Sequence, residues 1–197
     1  MEQYVVTISR QFGSLGRTIA KELSGRLGIE FLDRDIVEAT AKRMAKPVSV
    51  ISEEEENSKS TFVRRKYPLG MSMPNIQDEI FDVQKNIIRD FASKESCIIV
   101  GRCADSILLD YKNHLNVYIY APYGARIRNC IDVLGMDLKT ARRMIKEVDR
   151  ARENYQHRYC SEVKTVFDHK DIMLDSSRFG VDGAADILCE IIKKRFG

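Results

Sequence analysis

The chain has 197 residues, 44% of them hydrophobic and 31% charged, with a net charge of +3. That balance fits one soluble domain with a packed core and excludes a fibrous or disordered chain. No stretch approaches the about 18 apolar residues of a membrane helix, and no basic-then-apolar leader opens the chain, so a cytoplasmic protein without a membrane partner is expected.

Cys97, Cys103, Cys130, Cys160 and Cys189 are odd in number and form no CxxC pair, which reads as scattered reduced thiols. His114, His157 and His169 lie far apart, so a protein-only metal site is not expected. The small net charge gives no case for a nucleic-acid partner. Arg142, Arg143, Arg150, Arg152 and Arg158, with Lys139 and Lys146 among them, instead suggest a compact anion such as phosphate.

In chain order, Tyr4 to Ile8 is a β-branched and aromatic run that predicts a strand over about 4–9. It leads into Ser9-Arg10-Gln11-Phe12-Gly13-Ser14-Leu15-Gly16. Ile19, Leu23 and Leu27 then recur at helical spacing up to Gly28, a natural stop. A second strand is predicted over 29–32, ending at Asp33, and a helix over 36–45. Lys46 to Asn75 holds three of the four prolines, the acidic run Glu53 to Glu56, and Arg64-Arg65-Lys66. This reads as an irregular polar excursion the size of an inserted arm. Ile76, Ile80, Val83, Ile87 and Phe91 mark one apolar stripe of a helix, which could serve the core or a homodimer. Strands follow over 97–100, 115–120 and 172–175, with helices around 126–134, 137–155 and 182–195. Alternating strands and helices predict a five-stranded parallel sheet covered on both faces, a three-layer α/β fold.

The loop after the first strand carries the clearest chemistry. A phosphate needs several converging backbone N–H groups, which glycines and a helix N-terminus can present. A cation on the first helical turn can hold the outer phosphates, and a hydroxyl beside it can ligate magnesium. Gly16-Arg17-Thr18 has that order. Gln11 stands where the standard loop has its first glycine, and Arg17 where it has lysine. The plain alternative is a glycine-bearing turn of any α/β protein.

Asp33 and Asp35 fall at the end of the second strand, on the edge where open α/β sheets bind ligands. Either an acceptor-orienting carboxylate or a helix N-cap explains Asp33; for Asp35 a cap or first-turn role is favoured. Arg102 follows Gly101 at the end of the third strand, where it suits a phosphate clamp or a structural ion pair. A helix cap accounts for Asp105 nearly as well as a ligand role. Arg152 extends the apolar stripe of Leu138, Ala141, Ile145 and Val148, whereas Arg150 lies on another side. Cys103 has no neighbouring base and reads as a small packed residue, as Tyr155 and Tyr159 read as packing aromatics.

Residues 8–20, from Ile8-Ser9-Arg10 to Thr18-Ile19-Ala20, resemble the modified P-loop of the cytidylate kinase-like family, in which arginine commonly replaces the lysine. Phe31-Leu32-Asp33-Arg34-Asp35, Gly101-Arg102-Cys103-Ala104-Asp105, Asp149-Arg150-Ala151-Arg152-Glu153-Asn154-Tyr155 and Leu174-Asp175-Ser176-Ser177 are similar to further segments of that family, in order along nearly the whole chain. The resemblance implies a single P-loop kinase domain over 1–197, with a nucleoside monophosphate-binding insert at about 36–92 and a lid at about 137–165. It implies ATP and Mg2+ as cofactors. Gln11, Phe12, Gly13, Ser14, Leu15, Gly16, Arg17 and Thr18 would hold the donor phosphates, and Thr18 the metal. Asp33, Arg102, Asp105, Arg150, Arg152 and Arg158 would hold a nucleotide acceptor, with Arg17, Asp33, Arg102 and Arg152 acting in catalysis. The acceptor expected is a pyrimidine nucleoside monophosphate such as CMP or dCMP. Departures at Asp33-Arg34-Asp35, at Cys103 and in the incomplete lid pattern touch acceptor recognition. A same-fold kinase for another small acceptor, or a nucleotide-binding regulator with little catalysis, are the alternatives.

Overall fold

The computed structural model describes residues 3–57, 76–160, 162 and 164–197. Their strands are β1 (Val5–Arg10), β2 (Glu30–Leu32), β3 (Cys97–Val100), β4 (His114–Tyr120) and β5 (Ile172–Asp175). They form one parallel sheet in the order β2-β3-β1-β4-β5. β1 is central: Val5 lies opposite Cys97 on one side and His114 on the other.

The helices are α1 (Gly16–Leu27), α2 (Arg34–Arg43), α3 (Val48–Asn57), α4 (Ile76–Lys94), α5 (Ala104–Ile107), α6 (Tyr123–Asp132), α7 (Leu138–Tyr159) and α8 (Ser176–Phe196). The period of two along a strand divides the core. On β3, Ile98 and Val100 enter the layer under α1 and α8, while Cys97 and Ile99 enter the layer under α2 and α4. Ile98 and Ile99 are both fully buried, and each such side chain contributes about 1.5–3 kcal/mol relative to exposure. Sheet plus two helical layers is the three-layer α/β fold expected.

The helix boundaries moved more than the strands did. The segment after Lys46 begins not as irregular chain but as α3, with Pro47 at its entrance accepting the N–H groups of Val50 and Ile51. Ile51 is deeply buried, packed with Val37, Ala41 and Ile80. Residues 58–75, the rest of the expected arm, lie outside the described residues. α8 starts at Ser176 rather than near 182 and is interrupted at Gly180, whose φ of 65° needs a glycine. No helix among the described residues is long and apolar enough to cross a membrane.

Candidate active site at the carboxyl edge of the sheet

β1 ends at Arg10, and residues 11–15 turn into α1 through two left-handed residues, Gly13 (φ 76°) and Leu15 (φ 59°). Among the described residues, none accepts a hydrogen bond from the amide N–H groups of Gly13, Leu15, Gly16, Arg17 or Thr18. Five unpartnered donors at the positive end of a twelve-residue helix make an anion-binding concavity.

The loop is pinned from behind. Gln11, in place of a glycine, accepts the Ala121 N–H at 3.2 Å through its side-chain oxygen. Ser14 donates to the Gln11 and Ile119 carbonyls, and its own carbonyl accepts from Ser176 at 2.7 Å. A Cβ on Gly13 would lie 2.9 Å from the Arg126 carbonyl, so the loop sits tight against α6. Phe12 turns into the apolar cluster of Cys130, Ala141 and Ile145, so its side chain anchors the loop to α6 and α7.

Asp33 occupies the N-cap position of α2, but its side chain makes no cap hydrogen bond. Instead it accepts from Arg17 Nε at 2.5 Å and from Arg102 Nη1 at 3.2 Å. Burial pushes the Asp33 carboxyl up, but the guanidiniums of Arg102, Arg10 and Arg17 outweigh that and hold its pKa below the ordinary value. Asp35 sits in the first turn of α2. The Asp33 carboxylate thus couples the first turn of α1 to the end of β3.

Arg10, Arg17, Asp33, Arg102 and Arg152 line one cavity of about 680 Å³ at the carboxyl ends of β1, β2 and β3. Arg152 donates to the Arg10 carbonyl at 2.8 Å. Burial lowers the Arg152 pKa, with Asp149 opposing. The sequence did not single out Arg10. Burial, then Arg152, lower its pKa to about 9, with Arg102 and Arg17 adding to the effect and Asp33 opposing, so it stays charged at neutral pH. The available signal was its position, a cation ending a buried central strand at the ligand edge.

Two further residues escaped the sequence reading. Asp149 on α7 accepts the Phe12 N–H at 2.7 Å and pairs with Arg126 of α6, whose Nη1 also donates to the Phe12 carbonyl at 3.2 Å. Asp149 stood in a recognised segment, but nothing local marked it as the residue that clasps the loop.

The other expected ligands are placed differently. Asp105 lines the cavity floor, but its carboxylate is held by Lys170 and by Ser9 at 3.3 Å. Lys170 and Asp105 side chains are only 2% and 5% exposed, so a buried ion pair replaces the cap reading. Of the three arginines grouped as a lid, only Arg152 reaches the cavity. Helical rotation turns Arg150 to solvent, and Arg158 turns to α4, bonded to Asp78 at 2.7 Å and Gln77 at 3.1 Å. Cys103 is buried beside Cys160, and Tyr159 stacks on Phe81 at 4.1 Å.

The donor set suits a nucleoside triphosphate: free amides for its phosphates, Arg17 beside them, and an exposed Thr18 hydroxyl on the first turn. The described residues contain no cluster of three or more carboxylate, His or Cys side chains that could hold a metal. A magnesium ion that came with such a substrate would find the Thr18 hydroxyl as a protein ligand.

Loop, sheet and cationic cavity together define an α/β protein of the P-loop kinase class. Residues 5–178 match the model of the cytidylate kinase-like family, and the chain belongs to that family. No curated protein sequence matches it. An uncharacterized protein from Eubacterium ventriosum ATCC 27560 is similar in structure, with 27% identity, a TM-score of 0.73, and 98% of this chain and 100% of that one covered. Two more distant structures share the fold. Shikimate kinase from Bacteroides thetaiotaomicron has a TM-score of 0.56 and 12% identity, covering 97% and 99% of the two chains. A gluconokinase from Sinorhizobium meliloti 1021 has a TM-score of 0.54 and 11% identity, covering 99% and 98%.

Proposed function

We propose that the protein is an ATP-dependent phosphotransferase whose acceptor is a pyrimidine nucleoside monophosphate, CMP or dCMP. Family membership and the kinase fold support the phosphotransferase class. The observation that carries the reading is Asp33, held between Arg17 on the phosphate-loop helix and Arg102 beside the cavity. One carboxylate in that position can orient an acceptor oxygen while its two cations face the phosphates.

In this reading the free amides of residues 13 and 15–18 bind donor phosphates. Arg17 bridges them, Thr18 holds magnesium, and Arg102 and Arg152 hold the acceptor. Catalysis is positioning and charge neutralisation, with no covalent intermediate. Arg17 is bonded to Asp33 rather than aimed only at the loop, which favours, as second reading, a nucleotide-binding regulator with slow chemistry.

Calorimetric titration with a non-hydrolysable ATP analogue and magnesium tests the donor side. Thr18→Ala is expected to weaken binding at least about tenfold while circular dichroism stays unchanged, the scale of one lost charge-assisted contact. Unaltered affinity would remove the loop from the site.

A further inference from the structure

Arg10 is built into the fold in a way that a structural cation does not require. A Cβ on Gly16 would lie 2.7 Å from Arg10 Cβ, and a Cβ on Gly101 would collide with Arg10 Nη1. The stem therefore runs past one glycine and the head lies over another, whose φ of 79° excludes most side chains. Two backbone positions at the ends of different elements are kept bare along this one side chain.

Among the described residues no carboxylate or carbonyl accepts a hydrogen bond from the Arg10 guanidinium, although the group lines the cavity. The charged groups acting on it are Arg152, Asp33, Arg102 and Arg17. Among the described residues, Arg17, Arg34, Arg102 and Arg152 line the cavity with it, against Asp33, Asp105, Asp149 and Glu153. Asp33 is bonded to Arg17 and Arg102, Asp105 to Lys170, and Asp149 to Arg126 and the Phe12 N–H. A half-buried cation beside other guanidiniums is relieved when an anion joins it.

We propose that Arg10 is an acceptor-binding residue that, with Arg102 and Arg152, receives a phosphate monoester group. The three guanidiniums line one cavity, and guanidinium forks match phosphate oxygens where a neutral hydroxyl offers them no charge. This rests on the acceptor-side reading of the cavity and adds a residue to it. No bond is made or broken by Arg10; it holds and neutralises the group.

The test compares Arg10→Met, which keeps the stem between the glycines, and Arg10→Lys, which keeps the charge without the fork, with the wild-type protein. Binding of inorganic phosphate, CMP, cytidine and a non-hydrolysable ATP analogue is measured by calorimetry, with thermal unfolding alongside. Wild type is expected to bind CMP and phosphate but not cytidine. Both substitutions should weaken the two anions about ten- to a hundredfold and the ATP analogue less than about threefold. Unchanged anion affinity in Arg10→Lys overturns the proposal, and so does a lowered melting temperature of Arg10→Met with anion affinity intact. If wild type binds phosphate through Arg10 but not CMP, Arg10 stands and the nucleoside reading falls. If CMP is phosphorylated with the same KM by Arg10→Met, the reading stands and Arg10 falls.

Discussion

The carboxylate of Asp149 accepts the backbone N–H of Phe12 at 2.7 Å, joining residues 137 positions apart. Its other oxygen pairs with Arg126, which in turn donates to the Phe12 carbonyl, so both polar groups of Phe12 are held from one side. With the loop's outer groups anchored, the amides of residues 13 and 15–18 stay facing outward.

Asp149→Ala should therefore destabilise the protein by about 3–5 kcal/mol, because it strands a buried guanidinium. Arg126 Nε already lacks a partner, so little slack exists to absorb the loss. Urea unfolding measures this, and a cost under about 1 kcal/mol, the range of surface pairs, would show the clasp to be ornamental.

Asp33 predicts a pH dependence with a definite sign. Its folded pKa is depressed, so its contribution to stability is complete above the ordinary carboxylate range and is lost as pH falls through the folded value. Asp33→Asn should flatten the loss of stability below about pH 4 and lower kcat at pH 7 at least about a hundredfold, since no carboxylate remains between the cations. Unfolding curves from pH 2 to 7 that superimpose for the two proteins would contradict this.

Lys170 and Asp105 form a buried pair whose removal is asymmetric. Lys170→Met alone should cost about 3–5 kcal/mol, while Lys170→Met with Asp105→Leu should recover most of it. Equal melting temperatures for the single and double variants would remove the pair from the account.

The α7 arginines should separate in kinetics. Arg152→Met is expected to raise KM for the acceptor or lower kcat by about tenfold or more, the scale of one phosphate contact. Arg150→Ala and Arg158→Ala should leave both within about twofold, since neither reaches the cavity; steady-state rates for the three variants decide it.

These contrasts show what the chain made legible. Its five strands could be read because each is a short, largely apolar run between polar or glycine-bearing segments, and the loop because Gly16-Arg17-Thr18 comes a few residues after the first strand. α3 could not be read: Glu53 to Glu56 swamped a stripe in which, among the described residues, Ile51 is the buried anchor. Asp33 could be placed at the ligand edge, but only the approach of Arg17 from α1 and of Arg102 from just beyond β3 shows that its carboxylate pairs with guanidiniums and makes no cap bond. The turn of Arg158 away from the cavity was hidden for the complementary reason. Its partner Asp78 lies 80 positions away on α4, and helix-to-helix pairing leaves no local mark. Arg10 stayed hidden because a strand-ending arginine is ordinary until two glycines are seen to make room for it.

The most direct measurement is ATP consumption with magnesium against a panel of nucleoside monophosphates and nucleosides, with Arg17→Ala as control. The account predicts turnover with CMP or dCMP that the variant loses. ATP binding without turnover on any monophosphate would contradict it and favour the regulatory reading.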